Sequence, residues 1–393
     1  MKVLALGGPG AMGRVAVRVA TGLPGIREIV VADRDSHAAA RLAHELGGSG
    51  VRMSSCKVDV TDEAELDAAL SEADIVVNTV GPYYRFGLGV LRAAIRARTH
   101  YIDICDDWEP TLEMLDLDAD ARAAGVRAVV GMGASPGISN LLAARAVARL
   151  DAVTDLYTAW PVDVPGAGAD DTDLRGPDGR PIAAAVHWMQ QIRGTVAVVS
   201  NGEIVQEQPL RPVALTLPGG RKGTAYTVGH PEPVTLQRSY RLTGDAANLM
   251  VITPGTVAYL DVLRSDMDSG RLTNETAAAD LAKPTMRRAV RAALRAVRFS
   301  TPGSLPPFFA AATGTRDGRP LTVLAHLVST GGLMKNMSEA TGIPAAAGLA
   351  QLLDGTVVRP GVHPPEAAID PDRFFADLAE LAKPITVMIE EAP

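Results

Sequence analysis

With 393 residues the chain exceeds the usual span of one domain and predicts two or more lobes. Its 47% hydrophobic and 21% charged residues describe a globular chain and exclude long disorder or a collagen-like repeat. The 38 basic and 45 acidic residues leave a net charge of -7, which offers no field to a polyphosphate backbone and excludes sequence-independent nucleic-acid binding.

Two cysteines, Cys56 and Cys105, are too few for a disulfide framework or a cysteine zinc site, so a reducing, cytoplasmic compartment is expected. MKVLALGG has no signal architecture, and no apolar window reaches the roughly 18 residues of a spanning helix. No membrane partner is expected.

Through the first 131 residues, short β-branched runs alternate with alanine-rich stretches of 3.6-residue spacing. The runs predict strands at Val3 to Leu6, Glu28 to Ala32, Val51 to Val58, Ile75 to Thr79, Tyr101 to Ile104 and Val126 to Val130. The spacing predicts helices at Met12 to Thr21, Ser36 to Leu46, Asp62 to Leu70, Gly89 to Ala97 and Glu109 to Ala124. Parallel strands need crossover connections, so this order implies a parallel sheet with helices on both faces. ASPGISNLLAARAVARL then opens with a Pro-Gly turn and continues as an amphipathic helix.

Beyond it, strands are predicted at Asp155 to Trp160, Thr195 to Ser200, Glu203 to Gln208, Val213 to Leu217, Thr224 to Gly229 and Thr235 to Leu242, with Asn201-Gly202 as a hairpin turn. Pro165 to Pro181 reads as a mobile loop. Helices follow at Gly255 to Met267 and Thr276 to Val297, and strands at Phe309 to Thr315 and Leu321 to Val328. The end is helical at Ala345 to Leu353 and Pro371 to Leu381, with a last strand at Ile385 to Ile389.

GGPGAMGR places Gly8, Gly10 and Gly13 in G-x-G-x-x-G spacing, directly after a predicted strand and opening a predicted helix. The first glycine permits a tight turn, the second lets backbone approach a pyrophosphate, and the third allows close helix packing. Amides of Ala11, Met12 and Gly13 would then face the phosphates. Asp33 ends the next strand 20 residues past Gly13, where a carboxylate binds both ribose hydroxyls and favours NAD. Arg34 is either a solvated charge or a partner for a 2′-phosphate, so NADP stays open. Asp59 and Val60 would flank the adenine, with a helix cap as the other reading of Asp59. Asn78, Val80, Gly81 and Pro82 would approach ribose and nicotinamide. The expected fold is therefore α/β: a Rossmann domain with a parallel sheet over 1–135, then a mixed α/β domain with a largely antiparallel sheet over 136–335. The second is assigned to substrate binding and dimerisation, and C-terminal helices over 336–393 are expected to pack back on the first.

GPYYRFGLGVLRAAIRARTHYIDICDD, followed by GMGASPGISNLLA, resembles the saccharopine dehydrogenase-like family, which includes saccharopine reductase and lysine 6-dehydrogenase. GHPEPVTLQR is similar to its His- and Glu-containing strand, and TGIPAAAGLAQLLDG with GVHPPE to its C-terminal helix and Pro-Glu turn. The likeness is strong over 1–145 and 335–382 and loose between 150 and 330. It implies a nicotinamide-dependent oxidoreductase acting at a carbon-nitrogen bond, on a small molecule and as a homodimer. Several members carry Asp before the Pro-Gly, whereas this chain has Ser135 before Pro136, which implies loss of an amino-acid-binding carboxylate. A reductase of a larger, less charged imine or carbonyl metabolite, or a non-catalytic NAD(P) sensor, are the alternatives.

Hydride transfer needs the nicotinamide face held against a carbon, and the protein handles the accompanying proton. Candidate catalytic groups are His230, Tyr84 and Asp103. His230 and Glu232 lie two apart on or beside a predicted strand, so one face would carry both, and Glu232 could hold or charge the imidazole; a structural histidine is the plainer reading. Tyr83 and Tyr84 either contact substrate or fill a seam. Asp103, Cys105, Asp106 and Asp107 gather at a strand end, suiting an amine by charge, though Asp106 or Asp107 also reads as a helix cap and Cys105 as an inert thiol. Arg238 and Arg241 could take a substrate carboxylate or lie on a surface face. His187 and Trp188 are further wall candidates. No His and carboxylate spacing calls for a metal.

Overall fold

The computed structural model describes residues 1–164, 174, 179–331, 333–382 and 385–393. The chain runs β1 (Lys2–Leu6), α1 (Ala11–Ala20), β2 (Glu28–Asp33), α2 (Ser36–Glu45), β3 (Arg52–Lys57), α3 (Glu63–Ser71), β4 (Ile75–Asn78), α4 (Tyr83–Ala97), β5 (His100–Asp103), α5 (Trp108–Leu115), α6 (Asp118–Ala124), β6 (Arg127–Val129) and α7 (Ile138–Val147). There follow β7 (Ala152–Pro161), α8 (Ala183–Gln191), β8 (Val196–Ser200), β9 (Glu203–Glu207), β10 (Pro212–Leu217), β11 (Arg221–Thr227), α9 (Glu232–Tyr240), β12 (Ala246–Val251), α10 (Pro254–Asp268), α11 (Asn274–Ala282), α12 (Met286–Ala296), β13 (Phe309–Arg316) and β14 (Arg319–Thr330). The last elements are α13 (Met337–Leu353), β15 (Gly361–His363), α14 (Pro365–Ala368), α15 (Pro371–Leu381) and β16 (Ile385–Ala392). They form two compact units, one of 1–141, 331–333 and 337–385, the other of 142–330, 334–336 and 386–393.

The first unit is built on a parallel sheet of order β15-β6-β5-β4-β1-β2-β3. The order reverses at β1, so the loops after β1 and β4 flank the topological switch point where such sheets bind ligands. β4 reads IVVN and is buried on both faces, as a central parallel strand must be. The C-terminal helix α13 packs on α1 through a glycine: a Cβ on Gly342 would stand 2.7 Å from both Met12 O and Val15 Cβ.

The second unit contains a mixed sheet of order β10-β11-β12-β7-β13-β14-β16, with the hairpin β8-β9 joined to β12. β12 and β7 run parallel, and the pairs β10-β11, β11-β12, β7-β13 and β13-β14 are antiparallel. Asn201, at a φ of 50, and Gly202, at 79, make the β8-β9 turn. α10, α11 and α8 share one apolar cluster with the end of β12.

Several expected elements differ. Thr235 to Leu242 is not a strand; it lies on α9, whose first turn holds Glu232 and a proline and buries Val234, Thr235 and Leu236. Proline is favoured at a helix start and excluded from a central strand. The strand in that region is β12, AANLMV, buried on both faces and therefore without alternation to mark it. Glu109 to Ala124 is two helices, and Thr276 to Val297 is broken at Lys283 and Pro284. β15 adds a strand to the first sheet, whereas β16 joins the second sheet rather than packing back on the first. Of the loop expected over Pro165 to Pro181, residues 165–173 and 175–178 lie outside the described residues.

Forcing a side chain into the α1-α13 contact should strain it by about 1–3 kcal/mol. Gly342→Val is expected to lower the melting temperature by several degrees in a thermal scan followed by circular dichroism. Gly22→Ala, where a Cβ would make an ordinary 3.5 Å contact with Val19 O, should leave it unchanged.

Candidate functional site

Helices α2 and α3 close their first turns with aspartates: Asp35 accepts from Ala38 N at 3.0 Å, and Asp62 from Ala64 N and Glu65 N at 3.0 and 3.1 Å. α1 begins otherwise. Its cap is Gly10, which has no side chain, and its first turn holds no acidic residue. The helix ladder starts with Arg14 N donating to Gly10 O at 2.8 Å. The amides of Ala11, Met12 and Gly13 therefore precede the ladder at the positive end of the helix, a ready anion site. Gly10 is exposed, and a Cβ there would meet Gly7 O at 3.1 Å. Gly13 has a different reason: its Cβ would stand 2.5 Å from Gly7 O and 2.6 Å from Thr79 Oγ1, so only glycine brings α1 this close to the strand ends. Gly8 is buried in the same turn.

Asp33 stands half-buried at the tip of β2, where its Oδ1 accepts from Asp35 N at 2.9 Å. Arg34 beside it is exposed. Asp59 accepts from Thr61 N at 2.9 Å and Thr61 Oγ1 at 2.7 Å, and these bonds, with the charges of Lys57 and Arg34, hold its carboxyl below the usual range. Asp59 thus shapes a turn, and the helix cap that is its other reading belongs to Asp62. Val60 is half-buried next to it.

The ends of β4 and β5 are tied by a buried chain of hydrogen bonds. Asn78 Nδ2 donates to Tyr101 Oη at 3.0 Å, and Tyr101 Oη donates to Asp103 Oδ2 at 2.7 Å. The other oxygen of Asp103 accepts from Gly131 N at 2.7 Å and Cys105 N at 3.1 Å. Asn78 Oδ1 accepts from Val80 N at 3.1 Å, which fixes the start of the Val80-Gly81-Pro82 loop. Tyr83 Oη donates to Asn78 O at 2.8 Å.

This network corrects the expectation for Asp103 and decides between the readings left open for Tyr83 and Cys105. Asp103 is fully buried and engaged by three donors, so it ties strand ends together rather than facing a substrate. Tyr83 is buried at the first turn of α4, and only Tyr84, 64% exposed, is open to solution. Cys105 is fully buried beside Thr111, and burial, with the nearby Asp103, pushes its thiol well above the ordinary range, as the inert-thiol reading has it, so it is not a substrate contact. Asp107 caps α5 through its backbone, its carbonyl accepting from Thr111 Oγ1 at 2.7 Å, and Asp106 precedes it.

Ser135 and Pro136 lie in the turn before α7, where Gly133 N donates to Pro136 O at 2.8 Å. Gly137 N donates to Asn140 Oδ1 at 2.9 Å, and Asn140 Nδ2 donates to Glu366 Oε2 at 2.8 Å. The Pro-Gly turn and the Pro-Glu turn, 226 residues apart, are thus joined.

In the second unit, a buried polar cluster gathers around β7, β12 and the start of α9. His230 is 4% exposed, stacks on Trp160 with ring centroids 5.7 Å apart, and places Nδ1 3.6 Å from Glu232 Oε2 and Nε2 3.2 Å from Gln191 Oε1. Asn248 ties it together: it accepts from Trp160 Nε1 at 2.9 Å and donates to Glu232 Oε1 at 2.8 Å and Thr158 Oγ1 at 2.9 Å. Trp188 meets Trp160 at 6.1 Å, and His187 is its neighbour on α8. His230 and Glu232 are together as expected, though at a helix start and not on a strand. No local motif marks Trp160, Thr158 and Asn248, since only pairing of β7 with β12 brings them to the cluster, and Gln191 reaches it from the end of α8. Arg238 and Arg241 are exposed at the far end of α9, where Arg241 adopts the left-handed cap at a φ of 53, so neither joins it. Among the described residues no group of three or more His, Cys, Asp or Glu could hold a metal ion.

Burial pushes the Asp103 carboxyl up to about 6, outweighing its bonds from Gly131, Tyr101 and Cys105. In an unfolded chain the value is about 3.9. The folded state therefore holds the proton more tightly, and the stability this confers is full below about pH 4 and lost as pH rises through about 6. Asp103→Asn cannot ionise, so its urea midpoint should lack the part of the decline between pH 4 and 6.5 that the native chain shows, a difference of roughly 3 kcal/mol.

Residues 3–129 match the family model described as the saccharopine dehydrogenase NADP binding domain. Saccharopine dehydrogenase [NADP(+), L-glutamate-forming] of Pyricularia oryzae is 30% identical over 126 residues, covering 32% of this chain and 26% of that protein. The trans-acting enoyl reductase of Mycobacterium leprae is 29% identical over 106 residues, covering 27% of this chain and 25% of that protein. The matches thus span about a quarter of these relatives' length (26% and 25%). The solved apo saccharopine dehydrogenase (L-Glu forming) of Saccharomyces cerevisiae is 18% identical, with a TM-score of 0.65 and full coverage of both chains, which shows a shared fold. The matched domain is described as NADP-binding, the option that Arg34 left open. Residues 3–129 are thus similar to the NADP-binding domain of saccharopine dehydrogenases, and the fold of the solved yeast enzyme is shared over the whole chain.

Proposed function

We propose that the chain is an NAD(P)-dependent oxidoreductase that moves a hydride to or from a carbon-nitrogen bond, oxidising an amine or reducing an imine of a small molecule. The observation that carries this reading is the start of α1, free of acid and capped only by Gly10, which has no side chain, within a region similar to an NADP-binding domain. The amides of Ala11, Met12 and Gly13 would hold the diphosphate, and Asp33 the adenosine ribose. Arg34, with Lys57 at the end of the next strand, suits a 2′-phosphate, which puts NADP ahead of NAD. Asp59 and Val60 would border the adenine, and Asn78, Val80, Gly81 and Pro82 the nicotinamide half. The bound nicotinamide supplies or accepts the hydride.

The proton that goes with it needs an acid-base group. We assign that to His230, with Glu232 and Gln191 on its two ring nitrogens and Trp160 against its face. Tyr84 is the exposed hydroxyl kept as a further polar contact. Ser135, in place of the acid frequent in the family, points away from plain amino-acid substrates. The likeness to an enoyl reductase favours a second reading, hydride delivery to an unsaturated or carbonyl metabolite of larger size. Cys56 and Cys105 are free thiols, which fits a reducing cytoplasm. Pairing through the second sheet, where β14 and β16 expose Val328 and Met388, would make a homodimer.

Titration of tryptophan fluorescence with NADPH and NADH tests the coenzyme reading. Gly10→Val should weaken both at least about a hundredfold without loss of helix content, and Arg34→Ala should weaken NADPH about tenfold while sparing NADH. Absence of binding by the native chain sinks the proposal. A screen of amines, imines and enones at 340 nm then separates the two reactions, and binding without turnover on any of them identifies a sensor. On whichever substrate turns over, His230→Ala should lower kcat by about 10²–10⁴ and leave the NADPH Kd intact.

A further inference from the structure

Helix α12 is docked by its polar side. Arg288 donates to Asp266 at 2.9 Å and Asp280 at 2.6 Å, Arg291 to both oxygens of Asp266 at 3.0 and 2.9 Å, and Arg295 to Asp261 at 2.6 Å. Asp266 is 1% exposed, so this is an internal ion network, with Ala292 buried beside it. The apolar side faces out: Met286 is 80% exposed, Val290 53%, Leu294 74% and Val297 89%. Steps of four, four and three put them on one stripe. The exposed residues Lys283 before the helix, Arg287 on it and Arg298 just after it are basic, and MRRAVRAALRA contains no acid. Soluble helices bury the opposite face, so this inversion asks for an occupant.

We propose that α12 seats the protein on an anionic lipid surface, with Met286, Val290, Leu294 and Val297 entering the headgroup boundary and Lys283, Arg287 and Arg298 meeting the headgroups. Charge selects this occupant. Basic residues with an apolar stripe are the pattern of a helix lying in a membrane interface. A second copy brought face to face would oppose cation to cation with no acid on either helix to relieve it. Four side chains also fall far short of the roughly 20–30 residues a side of a stable interface. The stripe runs along one side of a helix, and a fluid surface needs no matching shape. The net charge of -7 is no obstacle at physiological salt, because acids beyond about 8 Å are screened. No helix among the described residues is long and apolar enough to cross a membrane, and lying on one requires no such length.

Co-sedimentation of the full chain with vesicles tests this. Vesicles of three parts phosphatidylcholine to one part phosphatidylglycerol should bind the protein at least about tenfold more tightly than phosphatidylcholine alone. The Val290→Glu/Leu294→Glu chain, altered only at exposed positions, should melt as the native chain does and lose about tenfold or more of that binding. Arg287→Glu/Arg298→Glu should lose as much. Native protein left in the supernatant with every vesicle, or variants that bind equally well, overturns the proposal. A native dimer in sedimentation equilibrium that V290E/L294E turns to monomer, with no vesicle binding, assigns the face to a second copy instead. If neither vesicles nor self-association engage it, the face belongs to an acidic protein, and the lipid assignment is equally lost.

Discussion

The coenzyme-binding unit depends on how closely α1 approaches the ends of β1 and β4. A helix presents donors to a phosphate only at its first turn, and only if nothing from its own chain reaches them first. Gly13 permits the approach, since any Cβ there would collide with Gly7 O and Thr79 Oγ1. Gly10 leaves the donors uncovered. The contrast with α2 and α3 is the physical argument. There, aspartates neutralise the same amides, and a helix so capped has little left to offer an anion.

What holds the neighbouring loop is a different kind of contact. Val80 and Pro82 leave β4 in a direction set by Asn78, and Asn78 is set by Tyr101 and Asp103. Each polar group in this chain is buried and partnered, which is the condition under which such a network adds rigidity rather than cost. Asp103 could not exchange its place with a substrate contact, because Gly131 N, Cys105 N and Tyr101 Oη already use both of its oxygens. Its perturbed carboxyl therefore reflects structure.

The parts legible in the sequence were those written in local pattern. The βα alternation, the three glycines and Asp33 at a strand tip all follow from spacings within about 30 residues. Asn140 and Glu366 were singled out only as parts of two separate motifs, and nothing local says that they touch. In the second unit the reading failed where periodicity is silent. β12 is apolar on both faces, and α9 carries β-branched Val234 and Thr235 that imitate a strand, although Pro231 and Pro233 mark a helix start. Because that strand was missed, so were Trp160 and Asn248, which only its pairing with β7 brings to His230.

The second unit's polar cluster and the outward face of α12 share a logic. In both, charged groups are placed inside and paired, and on α12 this leaves aliphatic side chains exposed. Burying Asp266 carries a desolvation cost that its three arginines must offset, and aliphatic residues at Asp266, Arg288 and Arg291 together would fill the same space without it. Stability alone therefore does not explain why the helix is turned this way. What the arrangement secures is orientation. Ion pairs fix the rotation of α12 about its axis, since a turn of one residue would break the bonds to Asp266, Asp280 and Asp261 together, and that rotation keeps the stripe from Met286 to Val297 in solution. An apolar helix face held outward by buried charge has its physical reason in what meets it.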